Sequence, residues 1–598
     1  MTQSTFNPDI KIPDPLEMSK SWTRIAERAH KLVTDFAIKQ NDPMSGLGIN
    51  PLQITGAFME LTARMLADPT SLVKANMMLW QDYWDLWQHT TRKFLGEQTE
   101  PVVTTSDDKR FKDAAWDESA LFDYIKQSYL LTARWIQGVV RNVEGLDDQT
   151  ARKVDFYTRQ FVDAMAPSNF VMTNPEVLRT TMETGGENLV KGLENLLSDL
   201  ERGKGKLLIR MSDPEAFKVG ENIATTAGKV VYQNSLMQLI QYSPTTEQTF
   251  TKPLLIVPPW INKYYILDMR QKNSFVKWAV DQGHTVFIIS WVNPDGELAD
   301  KSFEDYMNQG ILESLTQIEK ATGEKQVNAI GYCLGGTLLA STLAVLATKK
   351  DDRISSATYF VTLVDFTEVG EVRVFIDEAQ LAALDEQMKA QGYLDAQSMH
   401  TAFNLLRAND LIWSFVVNNY LLGKEPFPFD LLYWNSDSTR MPAAMHSFYL
   451  HKMYQENLLV KPGAITLNNV GIDLKKIKTP SYIMGAREDH IAPWKSVYSS
   501  TQVYQGSIRF VLAASGHIAG VINPPAANKY SFWTNNEMPV DADQWFDTAT
   551  QTEGSWWPDW NNWVAQYAGE KVPARVPGTG KLKALEDAPG SYVKIRAM

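Results

Sequence analysis

The chain has a single cysteine among its 598 residues. One thiol forms no internal disulfide, so nothing in the sequence calls for an oxidising compartment. Also missing is any run of about twenty apolar residues, the length a bilayer span requires. The opening stretch, MTQSTFNPDIKIPDPLEMSK, interrupts its few apolar residues with acids and prolines and has no signal-peptide core. A basic surplus is absent too: 58 Lys and Arg face 70 Asp and Glu, a net charge of −12, whereas a general nucleic-acid binder needs a basic face. Internal repeats and low-complexity tracts are lacking, which excludes a solenoid or a disordered chain. These absences leave a cytosolic protein with no transmembrane segment, too long for one core and expected to hold two or three domains.

What is present falls into three stretches. Residues 1–98 read as helices with polar breaks, residues 99–215 as a helical domain, and residues 216–598 as a catalytic domain. Within the first, Val73, Met77, Trp80, Trp84, Trp87, Thr91 and Phe94 recur at spacings of three and four, one stripe on a helix. That stripe either packs inward or docks on an apolar surface. EQTEPVVTTSDDKR reads as a linker. In the helical domain Asn174 is placed to cap a helix opening at Pro175. After Gly228 short β-rich runs (PLLIVPP, TVFIIS, QVNAIGY, ATYFVTLVD, SYIMGA, IRFVLA) alternate with helical ones. That alternation predicts a mostly parallel sheet covered on both faces. Residues 366–473 interrupt it with an aromatic-rich insertion, the expected cap. Tryptophans gather near the end in GSWWPDWNNW, outside any core evident from the pattern.

The cysteine, Cys333, lies in QVNAIGYCLGGTLLASTLAVLATKK. A strand, a Gly-x-Cys-x-Gly turn and a helix in succession form a nucleophile elbow with sulfur in place of the commoner hydroxyl. The helix N-terminus behind it favours an anion and so a thiolate. The backbone N–H of Leu334 is one expected oxyanion donor. Proteins with the α/β-hydrolase elbow order their triad nucleophile, acid, histidine. SYIMGA runs into REDHIAPW, which places Glu488 or Asp489 at a strand's carboxyl end, where sites of such sheets lie. Of the eight histidines only His490 and His517 follow those acids, and His490 adjoins Asp489 too closely for an ordinary orienting contact. Cys333, Asp489 and His517 are therefore the expected triad. The second oxyanion donor is expected in LLIVPPWINKYYILD; Pro258 and Pro259 have no N–H, which leaves Trp260 or Ile261. Asn262 and Lys263 either shape that loop or meet an anionic substrate.

GYCLGGT, PPWINKYYILD, GHTVFIISWVNPD, REDHIAPW and SGHIAGVINPPAANK together resemble the motifs of the polyhydroxyalkanoate synthases. The likeness runs from DKRFKDAAWDESALFDYIKQSYLLTARW to GSWWPDWNNW, and length and layout are similar to the class I members. It implies an α/β-hydrolase fold with a cap, preceded by an α-helical N-terminal region, and an acyltransferase polymerising short (R)-3-hydroxyacyl-CoA into polyester. The family's catalytic Cys, Asp and His fall on Cys333, Asp489 and His517. The resemblance further implies a homodimer through the cap region, and a place in the cytoplasm at the granule surface. Phasin and granule contacts are assigned to the variable N-terminal region. No cofactor and no metal are expected. The rival reading is a cysteine-dependent hydrolase, a thioesterase or lactone hydrolase, with the same triad and water as acceptor.

Overall fold

The computed structural model describes residues 20–21, 23–29, 31, 51–104 and 108–597. Much of the segment expected to be helical before residue 51, and residues 105–107 of the expected linker, lie outside the described residues. The chain divides into two compact units, residues 1–214 with 401–428, and residues 215–400 with 429–598. Part of the expected insertion, 401–428, thus belongs to the helical unit.

Among the described residues of the helical unit six long helices follow one another: α1 (Pro51–Ala67), α2 (Pro69–Phe94), α3 (Ala120–Arg141), α4 (Asp148–Ala164), α5 (Pro175–Thr184) and α6 (Glu187–Arg202). Asn174 caps α5 as expected: its side chain accepts from the N–H groups of Glu176 and Val177. The α2 stripe points outward. Met77, Trp80, Trp84 and Trp87 are more than half exposed, Trp84 and Trp87 stack 5.2 Å apart, and the opposite face buries Leu86 and His89. His89 and Lys93 both meet the buried carboxylate of Asp123 on α3, at 2.7 and 2.8 Å. A charged core face anchors α2 and leaves its apolar residues on the surface. Segment 401–428 joins this unit through α6. The Tyr420 hydroxyl donates to Asp199 at 2.7 Å, and Asn195 donates to the carbonyl of Asn419.

The second unit is built on a sheet of eleven strands. In chain order they are β1 (Gly228–Gln233), β2 (Met237–Tyr242), β3 (Leu254–Val257), β4 (Val286–Trp291), β5 (Val327–Tyr332), β6 (Ile354–Phe360), β7 (Ser481–Ala486), β8 (Ile508–Ala513), β9 (Ser531–Thr534), β10 (Thr550–Glu553) and β11 (Glu586–Asp587). The sheet order is β10-β9-β8-β7-β6-β5-β3-β4-β2-β1-β11, and its central run from β8 to β4 is parallel. Those six strands are the β-rich runs read from the sequence. Their residues are almost wholly buried, as a sheet covered on both faces requires. The antiparallel flanks, β2, β1 and β11 on one side and β9 and β10 on the other, were not legible as strands. Helix α7 (Leu334–Lys349) follows β5 and is buried over its first thirteen residues.

The late tryptophans overturn the expectation that they lie outside the core. Helix α8 (Trp557–Ala565) seats Trp556, Trp557 and Trp560 fully buried against Phe275, with ring centroids 5.1–6.4 Å apart. Each indole N–H finds an acceptor: Gly520 carbonyl, Val521 carbonyl and the Thr358 hydroxyl, at 2.8–3.0 Å. Large rings with satisfied donors are inexpensive to bury, and these lock the segment just after His517 to the sheet. Among the described residues no helix is long and apolar enough to cross a membrane. Replacing Trp560 with Ala is expected to destabilise this unit by about 3–5 kcal/mol, seen as an earlier urea-unfolding midpoint.

Candidate active site

Cys333 sits between β5 and α7 in a backbone conformation L-residues rarely adopt, φ 50° and ψ −119°. The surrounding glycines explain how so sharp a turn closes. A Cβ on Gly335 would lie 2.1 Å from the carbonyl oxygen of Val257, and one on Gly336 would lie 2.0 Å from the Thr362 hydroxyl. The first turn of α7 therefore presses directly on the end of β3 and the loop beyond it. The Cys333 N–H donates to the carbonyl of Phe360, and its carbonyl accepts from Gly336 and Thr337. With its backbone pinned on both sides, the thiol stays partly accessible at the carboxyl ends of the parallel strands.

His517 and Asp489 reach this point from the next two strand ends. Nδ1 of His517 is 2.7 Å from Oδ2 of Asp489, and both residues are buried. The other oxygen of Asp489 accepts from the N–H groups of Ile491 and Ala492 at 2.8 and 2.9 Å. Three contacts leave the carboxylate no freedom to turn from the imidazole. Burial opposes a charged imidazolium, yet the hydrogen-bonded carboxylate of Asp489 and the nearby Cys333 sulfur outweigh it and raise His517 to about 10. Nδ1 facing the carboxylate leaves Nε2 for the sulfur, the arrangement of a nucleophile, a base and an orienting acid. The Tyr332 hydroxyl donates to the carbonyl of His517 at 3.3 Å and steadies the loop from beneath.

Two histidines of the insertion are engaged elsewhere or enclosed. His451 lies 2.8 Å from Asp385, and His446 is buried, which pulls it down to about 4. From the insertion, the buried pair Tyr449 and Tyr454 stands near Cys333, with Phe366 packed against both rings. Sequence reasoning named none of these three; the aromatic richness of the insertion was the signal available.

Leu334 is the first residue of α7, where backbone N–H groups have no intrahelical partner. Trp260 is buried and Ile261 half-buried, in the loop that leaves β3 beside Gly335. Asn262 and Lys263 are buried as well. The Asn262 amide donates to the carbonyl of Trp434 at 3.3 Å, and Nζ of Lys263 pairs with Oδ1 of Asp437 at 2.7 Å. Burial lowers the Lys263 ammonium below its ordinary value, with Asp437 working the other way. Among the described residues no three His, Cys, Asp or Glu side chains gather as a metal site.

Comparison with known proteins matches two families, which overlap over residues 253–279. Residues 107–279 match the family described as "Poly-beta-hydroxybutyrate polymerase (PhaC) N-terminus", and residues 253–524 match the family described as "alpha/beta hydrolase fold". The chain is 46% identical over 589 residues to the poly(3-hydroxyalkanoate) polymerase subunit PhaC of Rhizobium meliloti, covering 98% of this chain and 96% of that one. It is 51% identical over 547 residues to the poly(3-hydroxyalkanoate) polymerase of Methylorubrum extorquens, covering 91% and 90%. It is 40% identical over 589 residues to the corresponding subunit of Cupriavidus necator, covering 97% and 95%.

The raised His517 predicts a pH dependence. A group held at about 10 in the fold against an ordinary 6.5 adds stability that is complete below pH 6.5 and is lost as pH rises toward 10. Asp489→Asn removes the main favourable partner. The melting-temperature gap between wild type and this variant is expected to be widest near pH 6.5 and to close toward pH 10; a gap constant across that range contradicts the assignment.

Proposed function

Because the chain belongs to the poly(3-hydroxyalkanoate) polymerase family and is an acyltransferase of the α/β-hydrolase fold, we propose that it polymerises (R)-3-hydroxyacyl-CoA, with 3-hydroxybutyryl-CoA the expected short substrate, through an acyl-Cys333 thioester. The observation that carries this reading is the lone thiol on the strained turn, beside a His517 that Asp489 holds at 2.7 Å.

The steps follow from those three groups. His517 takes the thiol proton, and the sulfur of Cys333 attacks the thioester carbonyl carbon. The N–H of Leu334 and that of Trp260 or Ile261 receive the developing oxyanion. Collapse breaks the bond from carbon to the CoA sulfur, and His517 returns the proton to the departing CoA thiolate. The 3-hydroxyl of a second acyl group then gives its proton to His517 and attacks the acyl-Cys333 carbonyl. The bond from the carbonyl carbon to the Cys333 sulfur breaks as the ester forms, and His517 returns the proton to that sulfur, regenerating the thiol.

Sulfur suits this sequence because exchanging one thioester for another is nearly neutral in free energy. The acyl group stays activated until an alcohol takes it, and the oxygen ester lies downhill. A serine would surrender that activation in the first step. Water must be kept from the intermediate, and the aromatic residues Phe366, Tyr449 and Tyr454 are placed to do so. Asn262 and Lys263, turned into the protein, are read as shaping the loop rather than holding substrate.

The reading extends to the surroundings. The exposed tryptophan and methionine row on α2 suits contact with the granule surface and its phasins in the cytoplasm. The family resemblance extends the proposal to a homodimer through the 366–473 region.

The deciding experiment mixes the purified protein with (R)-3-hydroxybutyryl-CoA and follows free CoA thiol together with the fate of the acyl group. Insoluble polyester is the expected product, whereas free 3-hydroxybutyrate alone would transfer the assignment to a hydrolase. Cys333→Ala is expected to abolish acylation. In single-turnover assays Asp489→Asn should slow elongation more than acylation, and equal losses in both steps contradict that division of labour.

A further inference from the structure

The loop after β3 carries more tethers than a surface loop needs, and they converge on one short segment of the insertion. Residue 262 forms an antiparallel bridge with residue 438. The Asn262 amide donates to the Trp434 carbonyl at 3.3 Å, and the Trp434 indole returns a donation to the Lys263 carbonyl at 2.7 Å. The Thr439 hydroxyl donates to the carbonyl of Trp260. Beneath these, Nζ of Lys263 pairs with Asp437 at 2.7 Å, and the Tyr265 hydroxyl donates to the second oxygen of the same carboxylate at 2.9 Å. Lys263 and Asp437 have side chains only 3% and 4% exposed.

Two features need a reason. The loop begins with Pro258 and Pro259, which supply no N–H, so its first two residues cannot donate to a neighbouring strand and it is fixed from further along. An ion pair taken wholly out of water is also a poor source of stability, because well-packed apolar side chains of similar volume usually serve as well or better. What a paired charge adds is geometric demand: ammonium and carboxylate must meet at one distance, and apolar neighbours accept several. A loop that presents an N–H to a developing oxyanion needs that demand, since donors must stand within a few tenths of an ångström of the productive position.

We infer that Lys263 and Asp437 are positioning residues for acyl transfer, tying the loop after β3 to segment 434–439 so that the N–H of Trp260 or Ile261 stays aimed at the oxyanion above Cys333. This rests on the oxyanion reading given above. Neither side chain touches substrate. The consequence is that the insertion sets the electrophilic half of the site as well as covering it.

The test separates positioning from folding by using two reactions of the same thiol. Alkylation of Cys333 by iodoacetamide displaces iodide at a saturated carbon and develops no oxyanion. CoA release from (R)-3-hydroxybutyryl-CoA in a single turnover does develop one. The double variant Lys263→Met with Asp437→Leu replaces the ions by apolar residues and removes the danger of one buried charge left alone. It is expected to alkylate within about twofold of wild type while acylation falls about 10²-fold, the cost of losing one oxyanion donor, with KM little changed. Tyr265→Phe removes one hydroxyl from the carboxylate and gives a smaller loss of the same kind, which keeps the test alive if the double variant does not fold. Acylation at the wild-type rate in either folded variant overturns the inference. Alkylation and acylation falling together also overturn it, because the pair then supports the whole site without distinction. CoA release that survives in Cys333→Ala would instead remove the covalent reading on which this one rests.

Discussion

The contact between the first turn of α7 and the end of β3 is the constraint to which the rest of the site answers. Val257 and Pro258 lie so close to Gly335 that no side chain fits there, and Thr362 excludes one at Gly336. Closing that gap forces Cys333 into positive φ and lifts the thiol out of the sheet. It also brings the loop beginning at Pro258 alongside the helix N-terminus, so nucleophile and expected oxyanion donors share one packing contact. Strain at the turn is offset by the burial of α7 and of the six parallel strands around it.

From that point the structure adds rigidity rather than new chemistry. Asp489 is held by two backbone N–H groups, His517 by Asp489, and the chain after His517 by Trp556 and Trp557 through Gly520 and Val521. The loop after β3 is held by the insertion. Each group of the candidate triad thus has a second layer that fixes its direction, as the proposed acyl transfer requires. The imidazole, raised to about 10 beside a buried carboxylate, needs such support because both side chains are enclosed.

How much of this could be read from the sequence depended on distance along the chain. The elbow is local: strand, glycines, cysteine and helix lie within 25 residues, and their types report a sharp turn directly. Asp489 and His517 were accessible because chain order and strand ends constrain where an acid and a histidine can stand. Trp556, Trp557 and Trp560 were misread, since their neighbours Asp559, Asn561 and Asn562 mask the burial of one helix face. Of the antiparallel flanks, β9 and β11 are short, β10 is exposed along its length, and β2 sets Gln238 and Gln241 among its buried residues. Asp437 left no sign at all: it is 172 residues from Tyr265, and nothing local marks a carboxylate bound for a buried lysine.

The amino-acid sequence by itself determined the parallel sheet, the turn at Cys333 and the three chemical groups of the candidate triad, because each follows from residue type at short spacing. Only the tertiary structure decided which way the α2 stripe faces, that Lys263 is spent on Asp437, and that part of the insertion packs with the helical unit. Those outcomes turn on which surfaces meet after collapse. Burial of a charge or exposure of a tryptophan is settled by partners far away in the chain, not by the residue's own neighbours.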